Sequence, residues 1–227
     1  MFDASYILTF LPKLLESLPV TLGLVGVATA AGLLLGLLFA LARLEKLPVL
    51  AEASTVLISF LRGTPVLVQM FVVYYGLPLL LQGIGIDILR WDKIIFIYIT
   101  YALNASAYFS EGIRAAVLAV PARQWDAAAA CGLTKGQSYR RVILPQALPI
   151  AIPSLGMTFT GLLQDSSLAF SLGILDVMGR AKTLGALTSR ALEAYAAAAV
   201  IFIILTLLSN AGFHTAGRSR KRKEALT

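Results

Sequence analysis

Five apolar stretches, each long enough to cross a bilayer, set the terms on which this chain of 227 residues can fold. They run over residues 20–42, 55–81, 94–116, 148–172 and 195–213. A spanning helix needs roughly 20 apolar residues to cross about 30 Å of hydrocarbon. Backbone groups in lipid must be satisfied within their own segment, and these runs lack the short alternation of a barrel strand, so helices are expected. With 58% hydrophobic and 14% charged residues, the composition excludes an ordinary soluble domain. The expected fold class is therefore an all-α membrane protein with five transmembrane helices.

Basic residues give the orientation. Thirteen Lys and Arg, including Arg43, Lys46, Arg114, Arg123, Lys135, Arg140, Arg141 and the run Arg218–Lys223, fall on one side of the spans, and six fall on the other. The positive-inside rule then places the N-terminus outside, the polar stretch 120–146 in the cytoplasm and the C-terminus inside. Residues 1–19 lack a basic leader and a small-residue cleavage site, and are expected to lie as an amphipathic interfacial segment. The basic tail 218–227 reads as a headgroup anchor, so the net charge of +7 is assigned to membrane lipid and not to nucleic acid. Cys131 is the sole cysteine, which rules out an internal disulfide. There is no phosphate-binding loop, no zinc spacing and no nucleophile–base pair; His214, the single histidine, sits at a helix end.

The polar stretch between the third and fourth runs reads DAAAACGLTKGQSYRRVILP from Asp126 to Pro145. Pro121 suits a helix start, Ala127–Ala130 propagate it, and Gly132 permits the turn that ends it. Thr134 can cap a second helix over 135–143 before Pro145 returns the chain to the membrane. Two short helices at a fixed angle make a compact knob.

Asp126, Ala127, Ala128, Gly132, Val142, Leu144 and Pro145 keep the spacing Glu-Ala-Ala, three residues, Gly, nine residues, Ile-x-Leu-Pro, with Asp126 for Glu and Val142 for Ile. This pattern resembles the EAA loop of bacterial ABC importer permeases. The run Arg62-Gly63-Thr64-Pro65-Val66-Leu67-Val68-Gln69 and the word Ala107-Tyr108-x-x-Glu111-x-x-Arg114 resemble the polar amino-acid branch of that family. The resemblance covers nearly the whole chain and implies the type I importer permease fold in the bacterial inner membrane. It implies that the insert is a coupling element docking on a separate ABC ATP-binding subunit, which would bind ATP and Mg; no cofactor belongs to this chain, and it is no enzyme. An extracytoplasmic solute-binding protein and a second permease, identical or paralogous, are the other implied partners. The stretch Leu187–Glu193 resembles cystine-type permeases, making L-cystine a candidate among polar amino acids. The alternative from another class is an ion-coupled secondary carrier, against which stands the lack of an inverted repeat.

Polar groups in the spans are costly; an ionised side chain at the bilayer centre costs about 2.5–3.5 kcal/mol even on lenient scales. Gln164-Asp165-Ser166-Ser167 interrupts the fourth run and resembles a family word at that point. Either these residues line a substrate path, with Asp165 meeting an ammonium, or they form a helix break that only satisfies its own backbone, with Asp165 pairing a neighbour such as Arg62. Asn104, with Ser106 and Tyr108, lines the same path or bonds between helices. Glu111 and Arg114, three apart, are expected to form an ion pair. Arg62-Gly63-Thr64-Pro65 is expected to open the second span at the cytoplasmic face, and Gly32 and Gly36, continuing Gly23 and Gly26, to bring helices into close contact.

Overall fold

The computed structural model describes residues 3–224, with side chains through residue 217, so the side chains of the basic tail lie outside the described residues. It is helical throughout, with no strand among the described residues. In chain order the helices are α1 (Ser5–Leu15), α2 (Leu18–Leu44), α3 (Leu50–Gly63), α4 (Val66–Gln82), α5 (Lys93–Leu118), α6 (Ala122–Ala130), α7 (Lys135–Leu172), α8 (Val177–Thr188) and α9 (Ala191–Glu224).

Length and apolar composition qualify α2, α7 and α9 (over Ala191–Gly217) as spans, and the pair α3–α4 makes up to four. The third expected span, α5, falls short on composition for a physical reason. Fourteen of its 26 residues are buried, among them Thr100, Asn104, Ser106 and Ser110, so protein rather than lipid surrounds it. Helix α2 packs along it at Gly32 and Gly36. A β-carbon on Gly32 would lie 3.0 Å from Ala105 Cβ, and one on Gly36 would lie 2.9 Å from both Phe109 Cβ and the Ser106 carbonyl. Gly23 meets α5 only loosely, 4.0 Å from a β-carbon there to the Tyr98 hydroxyl, and nothing lies within 4 Å of a β-carbon on Gly26.

Two further expectations are corrected, and one helix is added. The second run is not one straight span: α3 and α4 meet at 112°, with the break at Thr64-Pro65. Both residues are extended there, as a residue before proline tends to be, and Pro65 offers no N–H to continue the helix. The second helix of the insert is not separate either. It forms the opening turns of α7, which runs unbroken for 38 residues past Pro145, Pro149 and Pro153. A widened turn over Tyr139–Ile143, closed by the Leu144 amide on the Tyr139 carbonyl, precedes Pro145. Helix α8, twelve residues carrying Arg180 and Lys182, was hidden from a search for apolar runs; Asp176 caps it by accepting from the Gly179 amide at 2.8 Å.

The N-terminal helix is amphipathic as expected, but its apolar face meets protein. Phe10 and Leu14 are fully buried against Val177, Ala181, Ala194 and Ala198 of α8 and α9.

Candidate functional site

The cytoplasmic insert is organised by local bonds. At the end of α6 the Leu133 amide donates to the Ala128 carbonyl at 3.1 Å and the Gly132 amide to the Ala129 carbonyl at 2.9 Å. This is a Schellman closure, and Gly132 takes the left-handed φ of +73° that it requires. Nothing lies within 4 Å of a β-carbon at Gly132, so backbone conformation and not space selects glycine there. Thr134 then caps α7 in a reciprocal capping box with Gln137.

The seven residues of the EAA-type pattern divide by position. Asp126, Ala127 and Gly132 are exposed on the knob. Ala128 is buried at 4% exposure and serves the packing of the insert. Val142 packs with Trp125 and Tyr139 on an apolar cluster formed by Val117, Val120, Ile143 and Ala147, while Leu144 and Pro145 are exposed at the start of the span. Trp125 and Tyr139 meet edge to face with centroids 4.8 Å apart, which fixes the angle between α6 and α7.

A largely apolar cavity of about 530 Å³ opens within the membrane region, and Arg62, Asn104, Tyr108, Glu111, Ser154 and Asp165 bring polar groups to its lining. The guanidinium of Arg62 lies over the Tyr108 ring, 5.5 Å from its centroid. Arg62 therefore faces the cavity from the end of α3. The bend that carries it is held by Gln69, 5% exposed, whose side-chain amide reaches the Leu61 carbonyl at 2.7 Å, the Thr64 carbonyl at 2.9 Å and the Thr64 hydroxyl at 2.8 Å. Asn104 donates to Gln69 Oε1 at 3.1 Å. Asn104 is thus both a cavity residue and an interhelical tie. Gln69 stood in the sequence word beside Arg62 without a role; a polar residue in an apolar run four places after a proline is the signal that marks it.

Of the Gln164–Ser167 stretch, only Asp165 lines the cavity. The Ser166 hydroxyl donates to the Leu163 carbonyl and the Ser167 hydroxyl to the Gln164 carbonyl, each at 2.7 Å, so both are spent on their own helix. Gln164 is exposed. The stretch does not interrupt α7; the helix tightens to a three-residue turn from Ser166 onward. The Tyr101 hydroxyl donates to the Asp165 carbonyl at 2.7 Å, holding that turn to α5. No ion pair joins Asp165 to Arg62 among the described residues. The expected pair of Glu111 with Arg114 is present at 3.0 Å, and Arg43 of α2 also bonds Glu111.

Apolar spans, a cavity carrying charges of both signs and a stiff extramembrane knob define a membrane transport component. A family model described as binding-protein-dependent transport system inner membrane component matches residues 32–220, and the chain belongs to that family, the permeases of ABC transport systems. As such it is a transport subunit and not an enzyme. The chain is 40% identical, over 98% of its length and 93% of the relative's, to the L-cystine transport system permease protein TcyL of Bacillus subtilis (strain 168). It is 33% identical, over 91% of its length and 92% of the relative's, to the glutamine transport system permease protein GlnP of Escherichia coli (strain K12). A crystal structure of an amino acid ABC transporter with histidines superposes with a TM-score of 0.84 at 30% identity, covering 96% of this chain and 99% of that one.

Proposed function

We propose that the chain is the permease of an ATP-driven amino-acid importer, with its charge-bearing cavity as part of the translocation path and its insert as the coupling element. The observation that carries this reading is the cavity's charge pattern. Arg62 suits a carboxylate and Asp165 an ammonium, while Glu111 is taken up by Arg43 and Arg114, so the lining matches the amino-acid head that cystine, glutamine and histidine share. The relatives' names, L-cystine and glutamine, support the class, and the 40% identity to the cystine permease makes L-cystine the first substrate to test.

In this reading the thirteen basic residues put the insert and the C-terminus in the cytoplasm and the N-terminus outside. An ABC ATP-binding subunit receives the exposed Asp126, Ala127 and Gly132 and binds ATP and Mg. A solute-binding protein delivers substrate from outside, and a second permease, a copy or a paralogue, completes the path. ATP binding draws the inserts together and reopens the cavity outward, a shift between two global states.

Co-expression with the ATP-binding subunit tests this. The expected result is a complex whose ATPase rate rises with binding protein loaded with L-cystine, and less with glutamine or histidine. Uptake driven by an ion gradient in the chain alone, with no complex recovered, would instead establish the secondary carrier.

A further inference from the structure

The insert is anchored from a part of the chain that neither its own sequence nor the family pattern includes. Glu45 is the residue that closes α2. Its carboxylate accepts from the Tyr139 hydroxyl at 2.8 Å and forms an ion pair with Lys135, both on the opening turns of α7 and 94 and 90 residues away in sequence. Leu44, the residue before it, packs into the apolar cluster under Trp125 and Tyr139. Tyr139 is edge-on to Trp125 of α6, so one carboxylate touches the hinge that sets the angle between the insert's two arms. Farther back along the same helix, at Gly32 and Gly36, α2 packs closely on α5, and α5 carries the cavity residues Asn104, Tyr108 and Glu111.

We propose that Glu45 is a positioning residue for transport: it fixes the insert to the first span and passes the insert's displacement through α2 to the cavity wall on α5. The proposal rests on the coupling role given to the insert above. Lys135 and the Tyr139 hydroxyl hold the Glu45 carboxyl below its usual range, and burial, with Glu45 adding to it, pushes Tyr139 up to about 12. The link is therefore intact throughout ordinary conditions, and substitution is the way to break it.

Cys131, exposed beside Gly132 and alone in the chain, is a native attachment point for a spin label on the insert. In the full-length permease in lipid nanodiscs, Glu45→Ala is expected to raise the label's mobility. Glu45→Gln, which keeps an acceptor for Tyr139, is expected to fall between, and Glu52→Gln, an exposed acid on α3, to match the parent. In the unlabelled complex, Glu45→Ala is expected to lower the ATPase stimulation by loaded binding protein about fivefold, the smaller end of ordinary allosteric coupling, with basal hydrolysis and complex yield retained. Tyr139→Phe added to Glu45→Ala is expected to cause little further loss. Unchanged mobility and unchanged stimulation in Glu45→Ala would overturn the proposal. Should Glu45→Ala fail to accumulate, Glu45→Gln and Tyr139→Phe carry the same two readouts. Should the parent permease recover no ATPase partner, the transport reading fails by itself, while the label still decides whether Glu45 anchors the insert.

Discussion

In the insert, Thr134, Gln137 and Gly132 settle the backbone through bonds that span five residues or fewer. In the cavity, by contrast, the wall depends on Gln69 and on Asn104, thirty-five residues apart, and on Asp165 from a third helix. Both are polar islands in an apolar chain, and the difference teaches how each should fail. A local device loses its own angle when altered and leaves the rest of the fold standing. A tertiary device takes the helices it joins with it.

The largest effect is therefore expected at the cavity wall. Gln69→Leu keeps the volume but strands the Thr64 carbonyl and leaves the Leu61 carbonyl and the Asn104 amide only their long bond to each other at 3.5 Å. At about 1–3 kcal/mol for each buried group left unsatisfied, the loss amounts to several kcal/mol, read as a large fall in the midpoint of thermal unfolding in detergent. A loss under about 1 kcal/mol would show that the bend holds without its amide. Next is Gly36→Ala, which must push α2 from α5 at Phe109 and is expected to cost about 1–3 kcal/mol in the same assay. Gly26→Ala, which meets nothing, is its neutral control.

Smaller effects belong to the insert. Thr134→Ala removes one half of the capping box and is expected to cost about 1 kcal/mol, confined to the opening of α7 and visible as faster amide exchange over residues 135–138. If protection falls across all of α7, the insert is not the local device described. The smallest is a pH effect at Glu45. Its carboxyl is depressed from 4.5 in the fold, so its link is fully present above that value and is lost as pH falls through the lower folded one. Mobility of a label at Cys131 should rise only in that acid range, and Glu45→Gln should remove the rise.

The same contrast explains what was legible in the sequence. The helix stop at Gly132, the cap at Thr134 and the Glu111–Arg114 pair depend on residues three to five apart, and the pattern of residues displays them. Apolar length displayed α2 and α9. The bend at Thr64-Pro65 was hidden because the run stays apolar across it, and only Gln69 marks where the freed carbonyls go. Ser166 and Ser167 looked like path residues because a hydroxyl in lipid needs a partner, but a carbonyl three residues back supplied one. The anchor at Glu45 joins positions about ninety residues apart and left no local sign.

The central claim, that the insert transmits work it does not itself perform, is tested most directly at Gly132. Uptake of L-cystine would be compared, in vesicles holding the assembled transporter, for the parent, Gly132→Asn and Gly132→Asp. The left-handed conformation costs an ordinary residue about 1–2 kcal/mol, less for asparagine, so all three chains should reach the membrane and unfold at similar temperatures. The account predicts ATP-driven uptake that is largely kept in Gly132→Asn and lost in Gly132→Asp, where a charge is also added to the exposed knob. Full uptake in Gly132→Asp, with the same dependence on ATP, would contradict it.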